Sequence, residues 1–341
     1  MNRIAYFIGI DIAADDFTAA ILTTPDKPFH VRETILNCAD GFRSFEQWLA
    51  SHKVTLRNSV VCLEATGVYG EALCYYLAAK GYRVAVEPPL KVKRAFDQSG
   101  HKTDAVDSRQ IAEYAYRFAD ELNFWQPNDD LVEQIRVLLT SREHFSVQLI
   151  ANRNTLQTLK RKPVQTPLAN QTFGQAISRL KEDIKAINQE IKRLIDQDPK
   201  YGQMIHLLTG VPGVGLLLAA NLLVITQGFT RQVTARQLAA YVGICPYQHT
   251  SGKSVYKKAR SRHYGPSRMR KLLYLASLSL RTHNQPYRAY FHRKVAEGKA
   301  KRLVLNNIAN KLLKVICAVV NTRTAFIPNY KPISPVVLNR A

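Results

Sequence analysis

The first 118 residues alternate short apolar runs with clusters of turn residues. Residues 4–12, Ile-Ala-Tyr-Phe-Ile-Gly-Ile-Asp-Ile, read as a buried strand. Residues 17–22 and 29–35 predict two further strands, separated by Thr24-Pro-Asp-Lys-Pro28, so the chain opens on a three-stranded meander. Between residues 41 and 50, Phe42, Phe45, Trp48 and Leu49 recur at helical spacing. Val60 to Leu63 is the next strand, residues 69–80 a helix stopped by Gly81, and residues 82–86 a last strand closed by Pro88-Pro89. Residues 103–118 predict a helix with Thr103 as N-cap. Strands followed by alternating strands and helices imply an α/β domain, with its ligand site at the carboxyl ends of strands.

A polar connector near residues 120–130 leads into two long helical stretches. In the second, Ile177, Leu180, Ile184, Ile187, Ile191 and Leu194 alternate spacings of three and four, the seam of a coiled coil. In the first, Ile135, Leu138, Phe145, Leu149, Leu156 and Leu159 follow the same rhythm less strictly. Pro163 and Pro167 break the chain between them, which predicts an antiparallel helical hairpin serving as a spacer or dimerisation arm. From Tyr201 onward the pattern is α-helical. Leu207-Leu-Thr-Gly-Val-Pro-Gly-Val-Gly215 followed by an apolar run resembles a helix-hairpin-helix whose free amides could meet a phosphate. A turn between two buried helices reads equally well. The expected organisation is residues 1–125, 126–200 and 201–325, with a tail at 326–341.

Charge divides the chain. The net is +22, yet residues 1–128 hold 14 Lys/Arg against 16 Asp/Glu, and residues 129–341 hold 34 against 10. Beyond residue 200 the only acid is Glu297, against 22 basic residues. A basic half almost without acids is the footprint of a polyanion partner. No run of about 18 apolar residues argues for a membrane span. Five scattered cysteines, odd in number and without CxxC spacing, argue against a disulfide scaffold or zinc site and fit a reducing cytosol. The N-terminus shows no apolar signal region, so a cytoplasmic, intracellular protein is expected.

Four acids carry the candidate chemistry. Asp11 closes the first strand, Glu64 ends Val60-Val-Cys-Leu63, and Asp104 and Asp107 sit three apart at the opening of a helix. Positions i and i+3 share a helix face, so strand ends plus a helix face describe an oxygen cage for hard divalent cations suited to phosphodiester chemistry. A second locus is Pro246-Tyr-Gln-His-Thr-Ser-Gly-Lys-Ser254, a loop interrupting the helical pattern. It is followed by Lys257, Lys258, Arg260, Arg262 and His263, then by a helix near Pro266 with Arg268, Arg270 and Lys271 in its first turns. Cations at a helix start oppose its dipole, which invites an anion. Lys253, Lys257, Lys258, Arg260, Arg262, Arg268 and Arg270 are the candidate nucleic-acid contacts. Tyr247, Tyr256 and Tyr264, interleaved with them, are either stacking platforms or ordinary half-buried tyrosines. Ser251 beside Gly252 reads as a turn residue, a phosphate ligand or a nucleophile.

With Gly9-Ile-Asp11, Leu63-Glu-Ala-Thr-Gly-Val-Tyr69, Lys102-Thr-Asp-Ala-Val-Asp107 and Ser251-Gly-Lys253 in view, the chain resembles the DEDD transposases of insertion sequences, the group that includes the Piv-type DNA invertases. The likeness runs from about residue 5 to 320 and includes Val211-Pro-Gly-Val-Gly215, Ala239-Ala-Tyr-Val-Gly243 and Arg270-Lys-Leu-Leu-Tyr274. It implies a RuvC-like (RNase H-like) α/β domain, a coiled-coil connector and an α-helical transposase domain. It implies that Asp11, Glu64, Asp104 and Asp107 hold Mg²⁺ and that Ser251 attacks DNA to form a phosphoserine link. It further implies double-stranded target and donor DNA, guidance by an element-encoded bridge RNA, and dimers and tetramers that share composite sites. Two rivals stay open: a RuvC-like nuclease without a covalent intermediate, and a non-catalytic nucleic-acid-binding protein.

Overall fold

The computed structural model describes residues 4–65, 67–96, 103–229, 234–251, 255–261 and 265–328, and only the backbone of 248–251 and 255–260. The chain folds as two compact units, Met1–Pro127 and Asn128–Ala341.

The first unit holds strands β1 (Tyr6–Ile12), β2 (Asp16–Leu22), β3 (His30–Leu36), β4 (Ser59–Glu64) and β5 (Val84–Glu87), with helices α1 (Ala39–Ser51), α2 (Glu71–Ala79), α3 (Pro89–Lys93) and α4 (Asp104–Arg117). The sheet order is β3-β2-β1-β4-β5. β1 pairs antiparallel with β2, and β2 with β3, whereas β4 and β5 run parallel to β1. Successive side chains leave a strand on opposite faces, and here both faces are covered. Ile8, Ile10, Ile12, Val61 and Leu63 pack with Phe45 and Leu49 of α1 and Leu73 and Leu77 of α2. Phe7, Val60, Cys62 and Ala85 pack with Ile111, Ala112 and Ala115 of α4. Two covered faces explain why these strands read as continuous apolar runs rather than alternating ones. The meander, both later strands and the helix capped by Thr103 match the sequence reading. α3 does not appear in it: Pro89 at the first helical position starts a short helix where the prolines suggested only a stop.

The second unit consists of α5 (Asp130–Lys160), α6 (Pro167–Gln197), α7 (Pro199–Thr209), α8 (Leu216–Ile225), α9 (Ala235–Tyr241), β6 (Pro246–Ser251), β7 (Val255–Ser261), α10 (Ser267–His283), α11 (Gln285–Ala296) and α12 (Lys301–Thr322). α5 and α6, 31 residues each, pack on one another as a helical hairpin joined at residues 161–166. At its root Val132, Ile135 and Leu139, with Ile191, Leu194 and Ile195, join the core built by α7 to α12, and Ile177 is buried farther along α6. Farther out, Phe145, Leu149, Leu156, Leu180 and Ile184 are half-buried, because two helices shield a seam from one side only. α12 runs through the core with Val304, Ile308, Leu312, Leu313 and Ile316 buried. It is long and apolar enough to cross a membrane, with a mean hydropathy of 1.6, but half of that stretch is buried inside this core.

One feature departs from the sequence reading, and a second bears on its alternatives. Residues 246–251 and 255–261 are strands rather than a loop in a helical domain. They form a two-stranded antiparallel sheet in which Tyr247 pairs with Arg260 and Ser251 with Val255. The turn between α7 and α8 is built for packing. Gly213 adopts φ +83°, and a Cβ there would stand 2.9 Å from Leu280, while Val211 and Val214 are buried. Of the two readings of that turn, the buried helix pair accounts for its glycine.

Candidate active site

Register gathers the first two acids. β1 and β4 pair in parallel with Ile10 beside Leu63, which sets Asp11 alongside Glu64 on neighbouring strands, about 4.8 Å apart in the hydrogen-bonding direction. Asp11 shares its face with Gly9 and Phe7, and Glu64 with Cys62 and Val60, so both emerge on the face covered by α4. Both acids are partly exposed and make interactions of their own.

α4 crosses that face at contact distance. A Cβ on Gly9 would lie 2.1 Å from the Ser108 carbonyl oxygen and 2.2 Å from the Ala112 nitrogen, so only glycine admits the helix. One step toward the start of β1, Phe7 meets Tyr116 edge-on at 5.3 Å. Contacts that move toward the end of the helix as they move toward the start of the strand make α4 antiparallel to β1. Its first turn, with Asp104 and Asp107, therefore points to the end of the sheet where Asp11 and Glu64 stand. Thr103 fixes that turn by accepting from the Val106 amide at 3.3 Å. The helix N-terminus also favours the two carboxylates. Asn37 steadies the same corner: its Nδ2 donates to the Ala13 carbonyl at 3.1 Å and the Tyr69 carbonyl at 3.0 Å, tying the segments that follow the two strand acids.

The donor set is all carboxylate oxygen, the chemistry a hard divalent cation requires. Among the described residues, however, no three His, Cys, Asp or Glu side chains converge as ligands on one point. Register and helix direction bring the backbone positions of the four acids to one end of the sheet.

A fifth acid escaped the sequence reading. Glu87 pairs in register with Glu64 at the end of β5. It is 1% exposed, its Oε2 lies 3.2 Å from Lys91 Nζ, and its Oε1 accepts from the Asn123 amide at 3.4 Å. The signal was present: Val84-Ala-Val-Glu87 repeats the apolar-run-then-acid pattern of the other two strands. Burial, then Glu87 and Glu64, push the Cys62 thiol far above its ordinary range, so it stays protonated.

In the second unit Ser251 closes β6 opposite Val255, the first residue of β7. Lys257, Lys258 and Arg260 lie on β7, with backbone alone described, as for Ser251 and Tyr256. Lys253, Arg262, His263 and Tyr264 lie outside the described residues. Arg270 is bound into the fold, its Nη1 donating to the Gly265 carbonyl at 2.9 Å and the Val242 carbonyl at 3.2 Å. Lys271 pairs with Glu143 of α5 at 3.0 Å. Arg268, partly exposed, is close enough to Arg142 to act on its ionisation, although burial is the main cause of the lowered Arg142 value.

The comparisons place this fold, with acids at the ends of adjacent parallel strands and a strongly basic helical unit, among DNA-recombining enzymes of the transposase class. A family model described as "Transposase", of the DEDD IS110 type, matches residues 8–161, and one described as "Transposase IS116/IS110/IS902 family" matches residues 205–292. The pilin gene-inverting proteins of Moraxella lacunata and Moraxella bovis are each 27% identical over 328 residues, covering 94% of this chain and 97% of theirs. An uncharacterized 43.6 kDa protein of insertion element IS110 from Streptomyces coelicolor is 26% identical over 155 residues, covering 46% of this chain and 37% of that protein. The chain is thus similar to IS110-type transposases over residues 8–161 and to the IS116/IS110/IS902 family over residues 205–292.

Proposed function

We propose that this transposase is a site-specific recombinase of cytoplasmic DNA, dependent on Mg²⁺ and acting through a phosphoserine intermediate. The observation that carries the reading is the register setting Asp11 beside Glu64, under a helix whose first turn bears Asp104 and Asp107. The order β3-β2-β1-β4-β5, with an antiparallel meander leading two parallel strands, supports a RuvC-like domain. The half-buried seam of α5 and α6 supports a coiled-coil arm through which copies assemble as dimers and tetramers.

Asp11, Glu64, Asp104 and Asp107 would hold Mg²⁺, which when bound supplies Lewis-acid stabilisation of charge on the phosphate and leaving oxygens. Ser251 Oγ forms a bond to the DNA phosphorus as a DNA hydroxyl leaves, and its proton passes to solvent or a neighbouring base. The serine ester conserves the bond energy, so a second DNA hydroxyl can reverse the step and join a new partner. Water as the nucleophile would leave the DNA cut, which is the rival nuclease. The basic second unit fits sequence-independent backbone contact, and this suits an enzyme whose target and donor sites are chosen by an element-encoded bridge RNA through base pairing.

Trapping tests the assignment. Wild-type protein with donor and target DNA should give a denaturant-stable protein–DNA adduct, and Ser251→Ala should give none. An adduct that persists in Ser251→Ala removes the serine from the chemistry. Recombination that survives Asp11→Asn with Glu64→Gln removes the acids.

A further inference from the structure

α11 and α12 together carry seven Lys/Arg and no acid, and Glu297 at the end of α11 pairs with Lys294 at 2.6 Å and Arg293 at 3.7 Å. Between them lies an open groove of about 660 Å³, within the 300–1,000 Å³ range of ligand sites. Its apolar surface includes Tyr287, Tyr290 and Val315, and its charged rim Arg293, Lys311 and Lys314. The Tyr290 ring is half-buried, with Lys311 Nζ 4.6 Å and Arg293 Cζ 5.8 Å from its centre. Lys311 and Lys314, three apart on one face of α12, are both exposed, and neither is in an ion pair among the described residues. Burial raises the Tyr287 hydroxyl above its ordinary value, so that wall stays neutral.

We propose that this groove holds an unpaired DNA strand, with one base stacked on Tyr290 and the flanking phosphates on Arg293, Lys311 and Lys314. An aromatic face set among exposed cations is the platform single strands require, since every base offers a π-face and every link an anion. A duplex keeps its bases stacked inside, so it could use the cations but not the ring. DNA is the occupant because this enzyme's reaction is on DNA, and exchanging strands between two duplexes must pass through ends that have lost their partners. The proposal thus rests on the recombinase reading. It adds a site, distant in sequence from both Ser251 and the acids, that holds a released strand until it is rejoined.

Fluorescence anisotropy of the full chain with a labelled ten-nucleotide DNA strand, the matching duplex and an RNA strand of the same sequence tests it. Tyr290→Leu should weaken single-stranded DNA binding roughly 5- to 100-fold, leave duplex affinity within about twofold, and be rescued by Tyr290→Phe. Lys311→Gln with Lys314→Gln, both at exposed positions, should reduce the salt slope of strand binding by about 1.4. An equal loss for duplex and strand, an unchanged strand affinity, or RNA binding through Tyr290 more than tenfold tighter than DNA would each overturn the proposal. If the wild-type protein bound none of the three, the recombinase reading itself would fall, and the two failures are thereby told apart.

Discussion

Gly9→Ala places one methyl group against two backbone atoms of α4, 2.1 Å and 2.2 Å away. Ordinary contact begins near 3.4 Å, so the helix must retreat by more than an ångström or the strand must bend. Neither the Ser108 carbonyl nor the Ala112 nitrogen can rotate aside as a side-chain tip would. The cost therefore belongs at the upper end of overpacking, about 3 kcal/mol, and a urea titration should show the midpoint falling with little change in slope. The functional loss should exceed the stability loss, because α4 carries Asp104 and Asp107 while β1 carries Asp11. Misplacing the proposed ligands by about 1 Å costs on the order of 100-fold in rate, and Mg²⁺ titrated calorimetrically into the folded variant should bind correspondingly more weakly. Gly174→Ala is the control: that glycine lies within α6 with nothing within 4 Å of a Cβ, so alanine should stabilise by roughly 0.5–1 kcal/mol. A Gly9→Ala protein that keeps the wild-type urea midpoint and Mg²⁺ affinity would refute the close crossing, and with it the gathering of the acids.

Glu87→Gln keeps the acceptor for the Asn123 amide but deprives Lys91 of its counter-charge; since Lys91 is partly exposed, a loss of about 1–3 kcal/mol by denaturation is expected. Arg270→Gln should cost about 1–3 kcal/mol through its two carbonyl bonds while leaving the salt slope of DNA binding unchanged, whereas Arg268→Gln should reduce that slope by about one. Thiol labelling of native protein should modify exposed Cys38 and spare buried Cys62, Cys74 and Cys317. Burial, with Glu71 adding to it, pushes the Cys74 thiol up to about 12. The folded state therefore holds a proton that the unfolded chain releases above the ordinary thiol value of 9.0. Stability from this group is complete below that pH and is lost as pH climbs toward 12, a decline that Cys74→Ala should lessen in equilibrium unfolding at a series of pH values.

What the residues announced and what they hid separate along a physical line. β1, β4 and α4 were legible because burial on both faces demands apolar runs, and because Thr103 is a cap of the preferred kind whose hydroxyl meets the Val106 amide. β6 and β7 were not: Pro246-Tyr-Gln-His-Thr-Ser251 and Val255-Tyr-Lys-Lys-Ala-Arg-Ser261 carry no run of apolar residues, and their pairing depends on backbone bonds that composition does not record. Arg270 was read as a phosphate hook because cations at a helix start are costly without an anion. In the structure its Nη1 donates to the carbonyls of Val242 and Gly265, neutral dipoles that offset part of that cost. At Glu87 an acid in a buried strand end is matched by the Lys91 ammonium and a backbone amide. Charge pattern thus locates where electrostatic work is done. Only the register and the hydrogen bonds tell which charges are already satisfied within the protein and which remain for a ligand.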